Sequence, residues 1–181
     1  AFLKKAEWLV ITLGSAWVYT LPDGKVVANC HKVPADKFSK KLLQPEMVKS
    51  QLEIAIKKVT HFNPNIQILL TISPVRHLRD GFIENNRSKA VLIQAVHDLT
   101  EAFEQVHYFP AYELVIDDLR DYRFYAEDMA HPNYLATDYV WQKFTQSCLD
   151  RKTREWLPRI HSLNLARTHR PLHPFSASRS E

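Results

Sequence analysis

Three short, nearly continuous apolar runs constrain what this chain can fold into. Trp8 to Leu13 (WLVITL), Ile66 to Ile72 (IQILLTI) and Val106 to Phe109 (VHYF) have the pattern of strands buried on both faces of a parallel sheet. The stretches between them repeat at the helical period. After Pro45, the residues Val48, Leu52, Ala55, Ile56 and Val59 share one face, and Asn63-Pro64 ends the segment. Ser88 reads as the cap of a second helix whose stripe is Leu92, Ala95, Val96, Leu99 and Phe103. A third opens with Pro132 in its first turn and carries Ala136, Val140, Trp141, Phe144 and Cys148 along one side. The order β-α-β-α-β-α predicts a right-handed, layered α/β domain.

Trp17 to Tyr19 and Lys25 to Ala28 flank Leu21-Pro22-Asp23-Gly24, a turn signature, and predict a hairpin over the carboxyl end of the first strand. Residues 151 to 166 read as one more short helix broken by Pro158, and from Arg167 onward Arg, His, Pro and Ser leave little to bury. The expected organisation is an α/β domain over residues 1–150 and a basic helical or mobile tail over 151–181. Three strands are few for such a sheet, and the first finds no upstream partner. Either the domain is small or the sheet lacks its N-terminal strands. The opening AFLKKAEW has no methionine and reads as the inside of a helix, so the N-terminus reads as cut. The first strand then presents an apolar edge prone to self-association.

Several function classes drop out. The only glycines are Gly14, Gly24 and Gly81, so neither a Walker-type loop nor a GxGxxG fingerprint can be built. Cys30 and Cys148 form no CxxC pair and no disulfide framework. No apolar run approaches the ~20 residues of a membrane-spanning helix. Of the formal net charge of +4, residues 151–181 hold seven Lys/Arg against two acids, leaving the body close to neutral. A basic stripe suited to nucleic acid is missing.

Ligands of open α/β sheets bind at the carboxyl ends of the strands. The segments there are Gly14-Ser15-Ala16-Trp17, Ser73-Pro74-Val75-Arg76-His77 and Glu127-Asp128-Met129-Ala130-His131-Pro132. Asp128 and His131 stand three apart in a loop leading into a helix. Such a pair can act as general base and orienting carboxylate. The plainer reading is that Asp128 caps a turn while His131 packs. Arg76 suits a carboxylate or phosphate on a substrate, or else pairs with an acid of Asp117-Asp118-Leu119-Arg120-Asp121. Cys30-His31 is a weak metal signal. Tyr122, Phe124 and Tyr125 read as packing the approach to Asp128.

The strings ITLGSAWVY, VANCHKVP, LTISPVRHLRDGFIENNRSKA and YFPAYELVIDDLRDYRFYAEDMAHP, in this order, resemble the GSCFA family of SGNH/GDSL-hydrolase-like proteins, found mostly in bacteria. The resemblance runs from about residue 1 to residue 145. It implies a flavodoxin-like, three-layer α/β/α fold, and it places the acid and base of a serine hydrolase triad on Asp128 and His131. The family's N-terminal motif, with the presumed nucleophilic serine, is absent here, as are the first strands of the sheet. Ser15 follows a strand as such nucleophiles do, but the family pattern sets Gly14 and Ser15 in the block where typical SGNH enzymes bind the oxyanion, and plain turn chemistry is the remaining reading. Ser73, Arg76 and His77 are expected to line the same cleft.

The resemblance implies an SGNH-type serine hydrolase, an esterase or acyl-ester hydrolase or transferase, in its complete form. This stretch supplies the Asp-His part and is itself expected to turn over little ester. A small-molecule or carbohydrate acyl ester is the expected substrate. No cofactor or metal is called for, no nucleic-acid partner or membrane span is expected, and a cytoplasmic location is favoured. The alternatives are a non-catalytic glycan- or partner-binding module on the same fold, and a metal-dependent hydrolase using Asp128, His131 and either His77 or His31.

Overall fold

Residues 2–27 and 34–168 are described by a computed structural model. It divides between Val140 and Trp141 into two compact units. Cys30 and His31 fall outside the described residues, as do Ala28 and residues 169–181.

In the first unit, a single 3-10 turn at Leu3–Lys5 precedes strand β1 (Trp8–Leu13). A small sheet follows, formed by β2 (Trp17–Thr20), β3 (Val26–Val27) and β4 (Ser39–Leu42). Helix α1 (Pro45–Phe62) leads to β5 (Gln67–Ile72), and α2 (Phe82–Ala102) to β6 (Val106–Phe109). A helical turn α3 (Ala111–Glu113) continues as a π-helical stretch over Leu114–Leu119, and the division between the units falls within α4 (Tyr134–Cys148). The main sheet has the order β1-β5-β6 and is parallel throughout, with Trp8 opposite Gln67 and Ile68 opposite Val106. This is a mixed α/β architecture with a parallel sheet, as the apolar runs predict, and it is consistent with the three-layer α/β fold that the family resemblance implies.

The three apolar runs became these strands because each can bury what it carries. Ile68, Leu70 and Ile72 of β5 join Val48 and Ile56 of α1 and Leu92, Ala95, Val96 and Leu99 of α2 in one core, against which Leu9, Ile11 and Leu13 pack. Side chains alternate between faces along a strand, so Leu69 and Thr71 point to the other face, where they are also buried. On that same face β1 is open: Trp8 is 54% and Val10 51% exposed. Among the described residues β1 pairs only with β5, which leaves its other edge free. Asn63 ends α1 as expected, and its buried amide donates to the Leu3 and Ala6 carbonyls, fixing the approach to β1.

Four local expectations need correction. Ser88 does not cap α2, which starts at Phe82 after Gly81 in a positive-φ conformation (φ 90°) that glycine adopts without strain; Ser88 is buried inside the helix. Pro132 precedes α4 rather than opening it: Asn133 accepts the Ala136 N–H, and Pro132 forms a bridge with Tyr125. The hairpin is present, with its turn closed from Gly24 N–H to the Leu21 carbonyl, but β4 adds a third strand along β2. Its sequence, SKKL, has too little apolar content to stand out. Lastly, in the second unit Pro158 does not break the final helix α5, which runs unbroken over Arg151–Thr168 with Asp150 receiving the Thr153 N–H at its start. No helix among the described residues is long and apolar enough to cross a membrane.

Candidate active site at the carboxyl ends of the strands

The loop from Ala126 to Pro132 is built around one carboxylate. Asp128 Oδ1 accepts the backbone N–H groups of Ala130 (2.9 Å) and His131 (3.0 Å), and Oδ2 accepts Nδ1–H of the His131 ring (2.6 Å). One oxygen folds the loop and the other aims the imidazole. The turn is closed by Met129 N–H to the Ala126 carbonyl and Ala126 N–H to the His131 carbonyl, with Met129 held in the left-handed region at φ 57°. A non-glycine residue there is uncommon and often accompanies function. The three hydrogen bonds favour the charged carboxylate and hold Asp128 at a pKa of about 2. Asp128 and His131 side chains are 50% and 64% exposed, so His131 does not pack against the core. Among the described residues nothing hydrogen-bonds its Nε2. The plainer reading thus describes Oδ1 and fails for Oδ2 and the ring.

The segment after β5 grips this loop. Arg76 donates its backbone N–H to the Ala130 carbonyl (2.9 Å) and Nη1–H to the Met129 carbonyl (3.0 Å). Its guanidinium lies over the rings of Tyr122 and Tyr125, at 5.4 and 5.6 Å. The acids it might have paired with are engaged elsewhere: Asp117 with Arg120, Asp121 with Arg123, and Asp118 with the Tyr139 hydroxyl. His77 donates its backbone N–H to Asn85 Oδ1 (2.8 Å). Burial, then the Lys89 charge, hold its imidazole below the ordinary value against a hydrogen bond to the Gly14 backbone, and the nearby His131 adds to the lowering. Ser73 closes a local turn, its hydroxyl accepting Val75 N–H (3.2 Å). Ser15 likewise closes a local turn by accepting Trp17 N–H (3.1 Å), with its other contact to the Ser88 hydroxyl (3.2 Å).

What sequence reading missed is the support beneath these loops. Lys89 is 1% exposed, and its Nζ donates to the carbonyls of Gly14 (2.7 Å) and Ser73 (2.6 Å), bridging the carboxyl ends of β1 and β5. Ser88 Oγ accepts Ala16 N–H (2.7 Å), and Asn85 holds His77. Asn85, Ser88 and Lys89 stand at i, i+3 and i+4, on the stripe that continues as Leu92 and Val96. A polar group in line with an apolar stripe was the available signal. Burial lowers the Lys89 pKa from 10.5 to about 8.

Two clefts lie near these residues, and His131 lines one of them. One, of about 390 Å³, is nearly all apolar and includes Pro74, Val75, Val115, His131, Ala136 and Val140. The other, of about 250 Å³, holds Arg76, Asn85, Tyr112, Arg120, Tyr122 and Tyr125. Val115 lines both. Among the described residues no three His, Cys, Asp or Glu side chains converge as a metal site, so Asp128, His131 and His77 do not form one.

A family model described as GSCFA family matches residues 1–144. No curated protein and no solved structure matches the chain.

Proposed function

The chain belongs to the GSCFA family, and we propose that in its complete form it is a serine-type acyl-ester hydrolase or transferase in which Asp128 and His131 are the acid and base of the triad. The observation that carries this reading is the 2.6 Å bond from Asp128 Oδ2 to His131 Nδ1, which leaves Nε2 open at the carboxyl end of the sheet. The serine of the triad attacks the ester carbonyl, and Nε2 takes its proton. Backbone N–H groups at the Gly14–Ser15 turn face the developing oxyanion. His131 then protonates the departing alcohol, and water or a second alcohol releases the acyl group by the reverse sequence. Asp128 keeps the ring in the tautomer with the proton on Nδ1 and stabilises the imidazolium. The apolar cleft beside His131 suits the acyl chain.

The experiment is hydrolysis of short-chain aryl esters by the full-length protein, with Asp128→Asn and His131→Ala beside it. Each substitution is expected to lower kcat by about 10²–10⁴-fold. Wild-type activity retained in both variants would remove the triad assignment. No activity against any ester, with glycan binding intact, would favour the non-catalytic module instead. The free edge and open face of β1 support a further part of the reading, that this chain alone self-associates.

A further inference from the structure

We propose that the cleft around Arg76 is a subsite for a carboxylate-bearing sugar ring, so that the ester served by Asp128 and His131 is carried on an acidic saccharide. The inference rests on the hydrolase reading for the word ester, but the subsite stands on its own observations. Arg76 is partly buried at the cleft wall and has no acid partner among the described residues, and only one side-chain N–H, on Nη1, is hydrogen-bonded there. A guanidinium has five donors in a planar fork that fits a carboxylate two bonds at a time. The other charges at the cleft cancel in pairs: Arg120 meets Asp117, and Asp121, which also lines the cleft, is held by Arg123 through Nε and Nη2. One uncompensated cation matches a monoanion better than a phosphate dianion.

The remaining walls suit a sugar. Tyr122 and Tyr125 present rings, and Asn86 presents an amide, while the Asn85 amide is taken up by the His77 N–H and by Asn86. The Tyr125 hydroxyl is shielded and has no hydrogen-bond partner among the described residues, so Tyr125 offers the cleft its ring and not its hydroxyl. A volume of about 250 Å³ lies just under the ~300–1,000 Å³ of pockets that enclose drug-sized ligands, which fits a single ring. Arg76 also holds the Met129 carbonyl, which ties this wall of the cleft to the loop that carries Asp128 and His131.

The test is calorimetric titration of the chain with D-glucuronate, its neutral methyl ester, D-glucose and glucose 6-phosphate, followed by glucuronate against Arg76→Gln and Arg76→Lys. Glucuronate is expected to bind at least about tenfold more tightly than the methyl ester and glucose. Arg76→Gln should abolish that preference, and Arg76→Lys should restore little of it. The comparison of glucuronate with its methyl ester needs no substitution and holds even if the Arg76 variants fold poorly. Equal affinity for glucuronate and its methyl ester overturns the proposal, as does tighter binding of the phosphate or no binding of any sugar. Glucuronate binding without ester hydrolysis by the full-length protein would remove the hydrolase reading and keep the subsite. Equal hydrolysis of acetylated methyl glucoside and acetylated glucuronate would do the reverse.

Discussion

Two side chains show how differently the chemistry of this site was written into the sequence. The spacing of Asp128 and His131, in a loop entering a helix, allowed an acid–base pair or a plain turn, the family resemblance favoured the pair, and carboxylate and imidazole meet. Lys89 was not legible, since a lysine in a helix is ordinarily a solvated charge, and only the fold reveals that the Gly14 and Ser73 carbonyls take its ammonium. Its effect on stability has a definite sign. The native pKa is about 8 against an ordinary 10.5, so between those values the unfolded chain binds more protons and stability rises with pH. A gap of that size is worth at most about 3 kcal/mol. Urea unfolding of wild type and Lys89→Met from pH 7 to 10 should therefore give a difference that moves in favour of wild type as pH rises. Tyr108, Tyr112 and Tyr125, whose pKa values are raised chiefly by burial, act the opposite way above pH 10, and Tyr112 lies 5.8 Å from the Lys89 ammonium, so the comparison is read between pH 7 and 10. A difference that stays flat would show that Lys89 is not the titrating group. Asp128 works on the acid side: its carboxylate is depressed to about 2, so the loop's contribution is full above ~4 and is lost as pH falls towards 2.

Elements were legible where one period ruled them. Helix α2 follows its predicted stripe through Leu92, Ala95, Val96 and Leu99, whereas its first two turns break the apolar pattern with Asn85, Ser88 and Lys89 because there the helix meets loop carbonyls and N–H groups instead of strand side chains. The Ala126–Pro132 loop has no period at all, and its shape comes from Asp128 and from Met129 at φ 57°. A side chain in that region costs roughly 1–2 kcal/mol, more for a β-branched one, which leads to an asymmetric pair of expectations. Met129→Gly should leave the thermal midpoint unchanged or slightly higher, and Met129→Val should lower it by about 2–8 °C. If the strain is held for positioning, the Gly variant should also loosen the bond between Asp128 and His131, visible as a weaker downfield Nδ1–H proton resonance. Equal midpoints for both variants would mean that the loop relaxes out of the left-handed conformation at little cost.

At the scale of the whole molecule, the contrast between β1 and β5 decides what the chain does in solution. Strand β5 is buried along nearly its full length, while β1 alternates between exposed and partly buried positions. The two sequences, WLVITL and QILLTI, are almost equally apolar, so local sequence could not distinguish a central strand from an edge strand; only the order β1-β5-β6 does. Trp8 and Val10 then lie on a half-open face, Trp8 resting against His107 at 5.5 Å, beside a strand edge that lacks charge. Edges of this kind pair with other chains unless charges or covering segments prevent it. Sedimentation equilibrium of this chain at micromolar concentrations should show dimers or larger species, and Trp8→Lys with Val10→Lys should return it to monomer, because each lysine places an unpaired charge where the second sheet would have to dock. Neither residue reaches the Asp128–His131 loop at the other end of the sheet, so the doubly substituted chain should bind glucuronate as wild type does. A wild-type chain that stays monomeric across that range would overturn the prediction.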